Sequence, residues 1–169
     1  KGMLAEVAIK TATSAIAKTL RVNEKEIIFT SGGTESDNLA LFGVARRNRR
    51  RGNHLITTKI EHPAILSSMK ALEEEGFEVT YLDVDENGVV LLDQLRDSLK
   101  PETILVSIMH VNNEIGSIQP IEDAAKMIHQ FHPDICFHVD AIQSYGKLEL
   151  YPKKMGIDFV TDRIEASKK

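Results

Sequence analysis

Four short polar clusters, each directly after an apolar run, hold the residue types that chemistry needs. The first is Ser31-Gly32-Gly33-Thr34-Glu35-Ser36, which follows EIIFT (26–30). Its two glycines let backbone approach a ligand closely, and the N-terminus of a following helix offers free N–H groups to an anion. Thr34 has two readings: a hydroxyl donor to a phosphate, or an N-cap that forms a box-like pair with Asp37 three residues on. The stretch lacks the Gly-Lys-Ser/Thr of a Walker loop and the G-x-G-x-x-G of a dinucleotide site. The second cluster, Lys59-Ile60-Glu61-His62-Pro63, places an imidazole after HLITT (54–58). The third, His110 to Gly116, contains Asn112 and Asn113 and follows TILVSIM (103–109). The fourth is Asp140, with Gln143 and Ser144 close behind, after ICFHV (135–139). A carboxylate that ends a buried strand is costly unless it is paired or hydrogen-bonded. A phosphate cradle, a carboxylate, two amides and a ring able to stack would together suit a phosphorylated aromatic cofactor. Pyridoxal phosphate asks for such a phosphate site and for an acidic partner to its pyridinium nitrogen.

These clusters matter because of the elements that carry them. Leu4, Val7, Ala8, Ala12, Ala15, Ile16 and Leu20 recur at steps of three and four, which predicts an amphipathic helix. EIIFT reads as a buried strand, and Leu39, Leu41, Val44 and Ala45 mark the helix after it. The cycle repeats: strand 54–58, helix 64–76 closed by Gly76, strand 77–82, a turn at 85–88 and a short helix over 91–99. Strand 103–109, helix 121–131, strand 135–139 and a further strand over 157–161 complete the pattern. Strand and helix alternating at this spacing predict an α/β fold: a mostly parallel sheet with helices on both faces. In such open sheets ligands bind beyond the carboxyl ends of the strands, where all four polar clusters fall.

Composition bounds the function classes. The chain has 169 residues with 21 Lys+Arg against 25 Asp+Glu, a formal charge of −4. Apolar residues at 42% and charged residues at 27% fit a globular chain with a real core. The acidic balance argues against a nucleic-acid or anionic-membrane binder. No run approaches 18 consecutive apolar residues, and the first ten residues lack a signal-peptide pattern. A single cysteine, Cys136, fits a reducing compartment, and its place in a strand predicts a packed, inert thiol. The run RRNRRRG (46–52) reads as a solvated helix end whose cations suit the helix dipole; a phosphate or RNA patch is the competing reading.

TSGGTESDNLA (30–40), EHPAIL (61–66), GFEVTYL (76–82), TILVSIMHVNNEIGSIQP (103–120) and FHVDAIQSYGKL (137–148) resemble cysteine desulfurases of the NifS/IscS type. These belong to the class V aminotransferase group of pyridoxal-phosphate enzymes. The resemblance runs to about Thr161, with the motifs in the family's order. It implies that Gly33 and Thr34 bind the cofactor phosphate and that His62 stacks on the pyridine ring as a catalytic group. Asn113 and Gln143 would hydrogen-bond the phenolic oxygen, and Asp140 would pair with the pyridine nitrogen. The implied reaction takes sulfur from L-cysteine, leaving alanine and a persulfide for iron–sulfur cluster assembly and tRNA thiolation. A homodimer, a sulfur-acceptor or scaffold protein, and a cytoplasmic or mitochondrial setting are implied with it; no metal, nucleic acid or membrane is.

Within the resemblance, residues 1–169 correspond to a single partial domain, the central part of the cofactor-binding large domain, with the small C-terminal domain absent. The family's Schiff-base lysine should fall near Ala166, where Thr161 to Lys169 lack the surrounding serine and histidine. Lys168 and Lys169 do not inherit that role, and the nucleophilic cysteine loop has no counterpart. The chain alone is therefore expected not to turn over. A non-catalytic product that binds a full-length desulfurase, and a selenocysteine lyase, are the alternative expectations.

Overall fold

In a computed structural model that describes residues 2–163, the apolar runs form one sheet of five strands in the order β2-β1-β3-β4-β5. The strands are β1 (His54–Thr58), β2 (Glu78–Leu82), β3 (Thr103–Ser107), β4 (Cys136–Asp140) and β5 (Phe159–Thr161). Every pairing is parallel. Six helices connect or precede them: α1 (Gly2–Leu20), α2 (Gly33–Asn48), α3 (Pro63–Glu74), α4 (Leu92–Ser98), α5 (Ile121–Phe131) and α6 (Pro152–Met155). The expected α/β fold is therefore present, with the strands more uniformly parallel than required.

Successive side chains of a strand point to opposite faces, and the strands use both. Leu55 and Leu105 pack with Leu41, Ile65, Met69 and Leu72 of α2 and α3. Their neighbours Ile56 and Val106 pack on the other face with Leu95, Ile121 and Ile128 of α4 and α5, joined by Phe137 and Val139. Burial on both faces explains why β1 and β3, His54 apart, are apolar or hydroxylated rather than alternating with charge. Helix α3 starts at Pro63, whose fixed φ suits the first helical position, and stops before Gly76, which takes the left-handed φ of +92°.

Two departures from expectation share one cause. The segment 26–30 is not a buried strand. An Asn23–Glu26 capping box draws Glu26 into a 3-10 turn, and Ile27 to Thr30 run extended with no ladder partner among the described residues. Ile28 and Phe29 stand 71% and 52% exposed. β-branched residues make a backbone extended, but a strand also needs a neighbour. Likewise α1 forms as its periodicity demands, yet only Ile16, Ala17 and Leu20 are buried, because only its last turns reach the sheet. The arginine run is mostly committed to the fold: Arg46 pairs with Glu75 and lies over Phe42, Arg49 lies over Phe77, and Arg51 donates to the Asp134 carbonyl. Cys136 is half-buried at the start of β4, and burial raises its thiol pKa, as an inert packed thiol requires.

Two buried histidines stitch the strands laterally. His54 of β1 joins Thr103 of β3 at 2.6 Å and Thr80 of β2 at 2.8 Å. His138 of β4 joins Ser107 of β3 at 2.8 Å and Thr161 of β5 at 2.9 Å. Burial holds both imidazoles neutral, pushing each pKa down to about 4.

Truncating Phe137, which is fully buried between sheet and helices, should lower the unfolding free energy by about 3–5 kcal/mol, read from urea denaturation. For His54 the folded pKa lies below the unfolded one, so its stabilisation is present at neutral pH and lost as pH falls towards the folded value. The stability advantage of the native chain over His54→Gln should accordingly shrink by up to about 3 kcal/mol between neutral pH and about pH 4. An advantage independent of pH would show that His54 is not held neutral.

Candidate functional site

Because all strands point the same way, the segments that leave them meet at one edge. A cleft there is lined by Gly33, Thr34, His62, Asn113, Asp140 and Gln143, so all six residues singled out from the sequence share one cavity. Gly33 and Thr34 open α2, and His62 caps α3 just beyond β1. Asn113 lies in the loop after β3, Asp140 ends β4, and Gln143 sits in the turn that follows.

The N-cap of α2 is Gly32, without a side-chain hydrogen bond, so Thr34 sits within the first turn rather than capping it. Glu35 closes the approach instead, accepting from the backbone and hydroxyl of Ser31 at 2.6 Å each. The first amides of α2 thus face the cleft side of the helix start with no intrahelical carbonyl to bond, the arrangement that holds an anion. Gly33 runs so close to Ile142 that a Cβ would lie 2.5 Å from its Cδ1, so a side chain here would push the end of Ile142 aside at the β4 exit.

The other walls are fixed to one another. Asn112 donates to the Ile60 carbonyl at 3.1 Å and accepts from the Glu114 and Ile115 amides at 2.9 Å, which pins the Asn113 loop to the turn carrying His62. Glu61 Oε1 accepts from Thr58 at 2.7 Å and from the Met109 amide at 2.9 Å, a second tie between the same segments. His110 donates its amide to the Asp140 carbonyl and shares a 2.9 Å hydrogen bond with Ser144. His62 Nδ1 accepts from the Ala64 amide at 3.1 Å, which orients the half-buried ring and leaves Nε2 to carry the proton of the neutral imidazole.

Asp140 is buried, with Oδ1 accepting from the Ile142 amide at 3.0 Å. Burial raises its pKa, against the amide and the neighbouring His62, which favour the ionised form. The amide side chains of Asn113 and Gln143 are exposed and engage no described residue, so they stand available to a ligand. The residues fit a ligand with an anionic end and a basic ring nitrogen: unsatisfied helix amides at one end, a carboxylate at the other, and a ring and two amides between.

Sequence reasoning did not single out Asp37, Glu61, Asn112 or Arg163 for the cleft or its support. Asp37 lines the cavity and is buried, with no full hydrogen bond to either carboxyl oxygen and the Thr161 hydroxyl as its one polar influence of opposite sense to burial. Its apolar-face spacing with Leu41 and Val44 was the available signal, since an acid on the buried stripe of a helix asks for a reason. Arg163 also lines the cleft. The positions expected to hold or lack a covalent lysine, Ala166, Lys168 and Lys169, lie outside the described residues.

Comparison with known proteins agrees with this geometry. The family model for aminotransferase class-V matches residues 2–162. The cysteine desulfurase IscS of Ehrlichia chaffeensis is 49% identical over 160 residues, covering 95% of this chain and 38% of that protein. A probable mitochondrial cysteine desulfurase of Schizosaccharomyces pombe is 47% identical, covering 95% of this chain and 32% of that protein. Among solved structures, a NifS-like protein superposes with a TM-score of 0.91 at 41% identity, over 95% of this chain and 44% of that one. A structure described as SspA in complex with cysteine gives 0.88 at 41% identity, over 95% and 46%. The chain thus spans between about a third and just under half of the length of these relatives. The strand-end cleft, the order of its motifs and a match that runs through nearly every described residue agree: the chain belongs to the class-V aminotransferase family.

Proposed function

We propose that this chain supplies the cofactor-holding part of a cysteine desulfurase, an enzyme that takes sulfur from L-cysteine with the help of pyridoxal phosphate. The convergence of Gly33, Thr34, His62, Asn113, Asp140 and Gln143 on one cleft carries this reading. When bound, pyridoxal phosphate supplies an electron sink for a substrate carbanion. The protein's own work is placement. The α2 amides and the Thr34 hydroxyl would hold the phosphate, and the Asp140 carboxylate would accept a hydrogen bond from the protonated ring nitrogen and keep it charged. His62, oriented by its bond to the Ala64 amide, would pack against the ring. Asn113 and Gln143 donate to the phenolic oxygen.

L-cysteine as sulfur donor, a homodimer and a sulfur-accepting partner protein belong to the same reading, supported by similarity to proteins named cysteine desulfurase. Its setting is cytoplasmic or mitochondrial, in keeping with one bacterial and one mitochondrial relative. No described helix is long and apolar enough to cross a membrane. As a single partial domain, the chain contributes the cradle rather than the whole reaction.

Equilibrium dialysis with pyridoxal phosphate tests the cradle. The native chain should bind it, and Asp140→Ala should weaken binding by about tenfold through loss of the charge-assisted contact. Equal affinity of the two proteins would refute the assignment of Asp140. The product of the complete reading frame should release alanine from L-cysteine, and failure to do so with cofactor bound would refute the desulfurase reading.

A further inference from the structure

Three carboxyl groups meet behind the cleft: Asp37 of α2, Glu61 beyond β1 and Asp140 at the end of β4. They are 1%, 4% and 5% exposed. Their hydrogen bonding is unequal. Asp140 accepts from the Ile142 amide beside His62, whereas Glu61 has no partner on Oε2 and Asp37 has only the neighbouring Thr161 hydroxyl, which favours its ionised form but lies outside full hydrogen-bond geometry. A buried carboxylate without a donor is far costlier than a buried neutral acid. Three anions side by side would be costlier still, because like charges that share a buried site cannot all ionise.

The groups that could compensate do not serve Asp37 and Glu61. His138 approaches Asp37 to 3.9 Å, but burial keeps that ring neutral and its nitrogens already meet Ser107 and Thr161. His62 acts on Asp140.

We infer that Asp37 and Glu61 are positioning residues held as neutral acids, which leaves Asp140 as the one anion of the three. This rests on the proposed cofactor site for its purpose. Asp37 lies one turn beyond Thr34 on α2, so an ionised Asp37 would repel the phosphate that the helix start is built to receive. A neutral Asp37 leaves the field of the helix N-terminus intact while Asp140 keeps its charge for the ring nitrogen. Burial is the main cause in both acids, with the charge of Asp140 adding to it; it raises Asp37 to about 7 and Glu61 to about 8. The neutral set therefore holds below neutrality and fails on the alkaline side.

Carbon-13 NMR of the carboxyl carbons, assigned in the native chain, reads the charge of each group without any cofactor. At about pH 6 Asp37 and Glu61 should show the protonated shift and Asp140 the ionised one, with Asp37 and Glu61 titrating above Asp140. An ionised shift for either at that pH overturns the inference. Dialysis with pyridoxal phosphate supplies the functional arm. Between about pH 7 and pH 9 the native affinity should fall at least about threefold more steeply than that of Asp37→Asn, whose amide cannot ionise. Parallel pH profiles for the two proteins would remove Asp37 from phosphate placement. If the NMR shifts come out as expected but pyridoxal phosphate binds with no dependence on Asp140, the charge assignment stands and the proposed cofactor site falls.

Discussion

A parallel sheet covered on both faces imposes one demand on everything around it: each strand must hand its chain over at the same edge, with backbone polar groups that find partners only in each other's exits. Here the exits of β1, β3 and β4 satisfy that demand mutually. Glu61 takes the Met109 amide, Asn112 reaches the Ile60 carbonyl, and the Asp140 carbonyl receives the His110 amide. The cleft is what remains between these bonded exits. Its walls are rigid because the hydrogen bonds that shape it are also those that end the strands.

The lateral histidines belong to the same economy of buried polarity. Each uses both ring nitrogens on hydroxyl groups of neighbouring strands, so a polar ring sits in the sheet without an unsatisfied atom. The carboxyls behind the cleft do the reverse and leave oxygens unmet.

Much of this was legible in the sequence because the relevant signals are local. Strand periodicity, the Gly76 stop of α3, and polar residues directly after apolar runs each depend on a few neighbouring residues, and each became the expected element. The misread segment 26–30 failed because pairing is not local: Ile27 to Phe29 favour extension whether or not a strand lies alongside. Asp37 escaped notice for a related reason. Its spacing from Thr34 fits a capping box, and only the tertiary fold reveals that α2 starts one residue before Thr34 and turns Asp37 inward. Glu61 was overshadowed by its neighbour His62, since a sequence shows which residue could touch a ligand more readily than which residue holds that one still.

The edge strand β5 is three residues long, and Thr161 anchors it twice: its hydroxyl meets the His138 ring, and its carbonyl takes the Ala141 amide at 2.7 Å. When this end of the sheet breathes, both contacts part together and water reaches the ring of His138 and the carboxyl of Asp37 behind it. Solvated, Asp37 gives up its proton, and the ion so formed resists being folded back into a buried site. Opening of the strand and charging of the cleft are then a single event. Alkaline solution, by taking that proton, would prop the edge open and make amide exchange along β5 a running record of the charge in the site.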